Sequence, residues 1–176
     1  MKRIPFFLLL TLVVSFFVVS CKKDETVTPA VNTAELLARK WVPSELYIDV
    51  DSKKTYLYGP SKDASVSLGL AVSADDYMLL NKDGSVVNVE DGVTSKGTWS
   101  LKNDNTQVVI SIDGDVMPYT ISNLTEKSVE LSYSTPVAQI ASAPGAIQGL
   151  YLLASFAGLI KTTPTNLKYG VILSAK

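Results

Sequence analysis

The chain has 176 residues, a length suited to one domain, with 16 basic against 17 acidic side chains, a single cysteine and no histidine. Without histidine, neither a Ser-His-Asp triad nor a zinc site of ordinary composition can be assembled, and one cysteine cannot form an intrachain disulfide. The charge balance lacks the basic excess that nucleic acid calls for, so no nucleic-acid partner is expected.

Lys2 and Arg3 precede a nearly unbroken apolar run from Ile4 to Val19, closed by Ser20 and Cys21. The run contains Pro5 and falls short of the roughly 20 apolar residues that span a bilayer, so it reads as an export signal and not as a retained anchor. Its ending, Val18-Val19-Ser20-Cys21, resembles the lipobox of bacterial lipoproteins. That resemblance implies cleavage before Cys21, a diacylglycerol on its thiol and acylation of the new amine. Outer-membrane lipid is then the expected partner, since two or more chains anchor stably where one does not. Lys22-Lys23-Asp24-Glu25 resembles a short surface-export signal of some lipoproteins. Cell-surface exposure is expected, with the periplasmic face of the outer membrane as the alternative. The plain reading of those residues is a charged start to a tether.

The expected organisation is a signal over 1–20, a lipidated tether over 21–33, a barrel domain over 34–135 and a C-terminal extension over 136–176 that packs on the barrel. Thr33 is an N-cap candidate for a short helical segment, 34–40, too short to stand alone. From Trp41 the apolar period shortens to two. Alternating runs cover 41–50, 66–72, 76–81, 85–90, 96–101, 107–113, 116–122 and 128–134. Lys82-Asp83-Gly84, Glu90-Asp91-Gly92, Asn103-Asp104-Asn105 and Asp113-Gly114-Asp115 supply tight turns between them. Short strands so spaced imply an antiparallel sheet closed as a barrel or folded as a sandwich.

A set of short pieces makes this more specific. Leu36-Leu37 with Lys40-Trp41, Asn81 to Ser85, Gly97-Thr98-Trp99-Ser100-Leu101, Tyr119 to Thr125 and Val129-Glu130-Leu131 together resemble the lipocalin-like domain of small bacterial lipoproteins. The resemblance covers about residues 34–135 and implies an all-β, antiparallel up-and-down barrel of about 8–10 strands. It also implies an early Trp plugging one end. Residues 51–75 are longer than that pattern wants, and 136–176 fall outside it. Gly97, Trp99 and Leu101 share one face, which makes Trp99 an expected core residue. In the tail no charge occurs between Glu130 and Lys161, and 146–160 is apolar on every side of a helical wheel, so helix and strand pair both stay open. Leu167–Leu173 reads as a last strand.

Three acidic clusters, Asp49 with Asp51, Asp75-Asp76 and Asp113 with Asp115, match no calcium loop and stand where strands end, so they read as turn chemistry. No catalytic residue, metal or cofactor is expected, and the chain is read as a non-enzyme. The expected function is binding of a small apolar or amphipathic ligand inside a hollow barrel. Tyr77, Met117, Tyr119 and Tyr133 are the ligand-binding candidates, on a lining drawn also from Leu46, Ile48, Leu79, Val87, Val89, Ile110 and Leu131. The alternative is a filled barrel acting as a surface interaction module for protein or glycan, as an adhesin, inhibitor or accessory subunit.

Overall fold

The computed structural model describes residues 32–66, 72–160 and 164–176. The signal segment, Cys21 and the tether to residue 31 lie outside these, as do residues 67–71 of the run expected at 66–72. Nine strands follow one another: β1 (Lys40–Val50), β2 (Lys53–Tyr58), β3 (Tyr77–Leu80), β4 (Ser85–Glu90), β5 (Val93–Lys102), β6 (Gln107–Ile112), β7 (Asp115–Ser122), β8 (Ser128–Pro136) and β9 (Asn166–Ala175). Two helices accompany them, α1 (Thr33–Leu37) and α2 (Gly145–Phe156), with a 3-10 turn at Val137–Ser142 between β8 and α2.

All neighbouring strands run antiparallel, and β1 pairs with both β3 and β9, which closes an eight-stranded up-and-down barrel. The turns dictate the meander. Asp91 and Gly92 take φ of 49° and 77°, and Asp113 and Gly114 take 52° and 92°. Positive φ at both central residues is what a two-residue hairpin turn matching strand twist requires.

β2 stands outside the ring. β3 pairs only with Lys40 and Trp41, so the rest of that edge of β1, Leu46 to Val50, is taken by β2. Covering the edge this way keeps its backbone donors and acceptors paired. Neither Val66 nor Val72, the described ends of the expected strand, belongs to a strand; Val66 packs instead against Ile48 and Leu57.

The boundary expected at residue 135 falls inside the barrel. β9 pairs with β8 from Ser128↔Ser174 to Pro136↔Asn166 and with β1 from Trp41↔Ala175 to Val50↔Leu167. Only the 3-10 turn, α2 and their links, between β8 and β9, are additions to the ring. α2 resolves the ambiguity of 146–160 in favour of a helix.

The barrel has two ends. At one, α1 is capped by Asn32, whose side chain accepts from the Glu35 amide at 3.3 Å, so the cap sits one residue before the expected Thr33. Leu37 turns into the barrel with no exposed area, and the Trp41 indole donates to the Leu37 carbonyl at 2.9 Å. A bulge in β1 between Pro43 and Glu45 changes the phase of alternation. Trp41 and, beyond the bulge, Leu46, Ile48 and Val50 therefore all face inward. Around Trp41 lie Leu80, Val86, Trp99, Val108, Ile110, Val129, Leu131 and Leu173, all buried in one cluster. Among the described residues no helix is long and apolar enough to cross a membrane.

Candidate functional site

The other end of the barrel is built differently. Its helix, α2, presents Ile147 and Ala154, both buried, at a spacing of seven residues on one face. Ile147 clusters with Ala143 and Leu167, against which Val50, Met117, Tyr133 and Tyr169 pack. Ala154 clusters with Ile48, Leu57 and Val66. Gln148 ties the preceding loop down through bonds to the Ala141 carbonyl at 3.2 Å and the Ala143 carbonyl at 2.8 Å. The helix thus covers the wall made by β7, β8, β9, β1 and β2.

Among the described residues, the buried clusters under α2 include no side chain of β4 or β5. The register of these two strands pairs Val86 with Gly97, Asn88 with Ser95 and Glu90 with Val93, and cross-strand partners point to one face. Buried Val86 fixes that face as the inner one. Asn88, Glu90 and Ser95 consequently line the inside, and Val93 on the same face is 67% exposed. Polar groups on an inner wall are tolerated where solvent or a ligand reaches them.

Three of the four expected ligand-binding side chains meet here. Met117 pairs with buried Ile110, Tyr119 with buried Val108, and Tyr133 with Tyr169, which places all four on the inner face. Burial pushes the Tyr119 hydroxyl up to about 12. Burial raises that of Tyr169 as well, with Tyr119 and Glu90 adding to the shift. Among the described residues none of the three tyrosine hydroxyls has a hydrogen-bond partner, and none is a fully buried polar atom left unsatisfied.

Tyr77 belongs elsewhere. Trp41 pairs with Met78, so Met78 and Leu80 point in, and Tyr77 points out with the Lys40 ammonium 3.8 Å above its ring. Leu79, Val87 and Val89 follow it to the outer face through the register of β3 with β4. The reason is compositional: both faces of Tyr77-Met78-Leu79-Leu80 and of Val86-Val87 are apolar, so alternation does not choose between them. Tyr77 lines an outer cleft of about 330 Å³ with Lys40, Val42, Asp76, Val89 and Thr94. A second cleft of about 360 Å³ lies beside α1, with Ala34, Ala38, Lys82 and Trp99 on its walls.

The acidic residues do turn and loop work. Asp51 accepts from the amides of Thr165 and Asn166, fastening the β1–β2 turn to the start of β9. Asp76, buried, accepts from the amides of Ser73 at 2.8 Å and Asp91 at 2.9 Å. Among the described residues no three acids converge as a metal site would require. Outside the barrel, Tyr47 lies across Gly170, where any Cβ would strike its ring, and its hydroxyl donates to Glu130. Lys54 sits 3.9 Å over the same ring and 3.4 Å from Glu130, and Asn123 donates to the other carboxylate oxygen at 3.0 Å. Burial opposes the Glu130 charge, but Tyr47, Lys54 and Asn123 outweigh it and hold the carboxyl below its usual range. Every partner in that cluster is satisfied, so it fastens β1, β2 and β8 together.

Asn88, Glu90, Ser95 and Tyr169 were not among the expected site residues. Period-two reading assigns polar residues to solvent, and only the pairing of β4 with β5 reveals which face they occupy. Comparison with protein-family models, curated proteins and solved structures finds no match to this chain.

Proposed function

We propose that this chain is a membrane-anchored, non-catalytic binding protein that takes a small apolar or amphipathic ligand in the α2 end of its barrel. The observation that carries the reading is the inner wall at that end. Met117 shares one inner face toward that end with Tyr119, Tyr133 and Tyr169, whose hydroxyls have no partner among the described residues, and α2 packs there on β7, β8, β9, β1 and β2. Apolar walls with a few polar groups are the usual make-up of a small-molecule site. Soaking the purified mature domain with an environment-sensitive apolar fluorophore is the test. Saturable binding is expected, weakened when Met117→Trp fills the site; a flat titration with the domain folded would remove the reading.

The anchoring half of the proposal rests on the lipobox resemblance at Cys21, with the protein on the outer membrane and facing outward. Metabolic labelling with a clickable fatty acid should mark the parent and not Cys21→Ser. Replacing Lys23, Asp24 and Glu25 with Ala should keep the label but hide the protein from external protease in intact cells.

A second reading, docking of a protein partner, is favoured by the outer face of α2. Phe156 is 88% exposed, and Leu152 and Leu153 are exposed beside it. Glu90, Asp91, Asp113 and Asp115 stand in turns at the same end, so the matching partner is apolar with a basic border. Loss of a defined crosslinked adduct in Phe156→Ser, with fluorophore binding kept, would favour it over the ligand reading.

A further inference from the structure

We infer that the site takes an amphiphile with a cationic head, held by Glu90, its tail on Met117 along the inner face that Tyr119 and Tyr169 share. This rests on the ligand-binding reading above and goes further by fixing the sign of the ligand's charge. The registers define the inner face of every strand in the eight-stranded ring. From Trp41 through Met78, Val86, Trp99, Ile110, Met117, Leu131 and Tyr169, the inward positions include no lysine and no arginine. They include two acids, Glu90 opposite Val93 and Asp115 opposite Ile112, and both lie at the α2 end.

That distribution discriminates between ligand classes. A carboxylate head entering this end would leave water and meet acids without a counter-charge, a costly transfer. An ammonium or guanidinium head would meet Glu90, and the tyrosine hydroxyl oxygens can accept its protons. A neutral head would gain only the hydroxyl contacts and those of Asn88 and Ser95. Lys96 and Lys168 adjoin the site residues in sequence but pair on the outer face with Val87 and Ser134, and Lys53, opposite Val50, is exposed at the start of β2 outside the ring. Asp63 lies near Lys53 as a counter-charge.

The experiment is a displacement titration of the fluorophore by three straight-chain probes of equal length, carrying an ammonium, a hydroxyl or a carboxylate head. The expected order of affinity is ammonium, then hydroxyl, then carboxylate, with at least about tenfold between first and last. Glu90→Gln, at an exposed position that does not endanger folding, should erase most of the preference for the ammonium over the hydroxyl probe. Asp115→Asn should erase less. A carboxylate probe that binds as tightly as the ammonium, or a preference untouched by Glu90→Gln, would overturn this inference and leave the ligand-binding reading standing. Failure of all three probes and of the fluorophore would remove both.

Discussion

The two ends of this barrel follow the same alternation and reach opposite results. At the α1 end the inward positions are Trp, Leu, Val and Ile, and Leu37 closes the end over Trp41. Both buried indoles there donate to backbone carbonyls, Trp41 to Leu37 and Trp99 to Asn81, while among the described residues the Arg39 Nε is buried without a hydrogen-bond partner. At the α2 end the inward positions turn to Tyr, Asn, Ser, Asp and Glu, and among the described residues the helix packs on β7, β8, β9, β1 and β2. Half of the barrel is packed as a core, and the other half carries the candidate site. A single barrel can serve both purposes because eight strands leave an interior that side chains fill when large and leave open when not.

The comparison breaks most visibly at Trp41. Truncating a fully buried Trp to Ala costs about 3–5 kcal/mol, a large share of a stability near 5–15 kcal/mol. Trp41→Ala, and Trp99→Ala close behind it, should shift the urea midpoint accordingly. A loss under about 1 kcal/mol would show that the α1 end is not the packed half.

Ile147→Ala should cost less, near 2 kcal/mol, at the low end of the range for such truncations. The side chain is 2% exposed, but its neighbours Met117, Tyr133 and Tyr169 are only partly buried and can settle into the space. Equal destabilisation at Trp41 and Ile147 would erase the contrast.

Alkaline titration sharpens it further. Burial raises the Tyr119 and Tyr169 hydroxyls, and burial with the Glu130 bond raises that of Tyr47. In the unfolded chain these groups ionise near pH 10, while in the fold they stay protonated to higher pH. Their contribution to stability is therefore whole below about pH 10 and falls as pH rises beyond it. Tyr119→Phe with Tyr169→Phe should flatten that fall, and an unchanged slope would put both rings in solvent. The smallest effect belongs to Phe156→Ser, expected within about 0.5 kcal/mol of the parent because the ring is 88% exposed.

Much of this architecture is legible in the sequence, and its gaps have definite causes. β4, β6, β7 and β8 begin within a residue of where alternation and Asp-Gly turns put them. β2 is missed because Lys53-Lys54-Thr55-Tyr56-Leu57-Tyr58 begins with two lysines and carries a bulge against Leu46, which spoils the period. Faces are harder than strands. Trp41 and Leu46 are an odd number of residues apart, and only the bulge at Ser44, whose hydroxyl donates to the Ile172 carbonyl at 2.8 Å, puts both inside. Tyr77 is misplaced because β3 is apolar on both sides. Of the site, Met117, Tyr119 and Tyr133 could be read from β7 and β8, where one face alone is apolar. Asn88 and Glu90 could not, since nothing local marks a polar residue as inward.

Mapping the bound fluorophore on the isotopically labelled mature domain by amide and indole chemical-shift changes tests the two-ended account most directly. The changes should concentrate in residues 88–95, 117–119, 133 and 167–169 and in α2, with the Trp41 and Trp99 indole signals unmoved. Shifts centred on those indoles, or on the outer face around Tyr77, would contradict it.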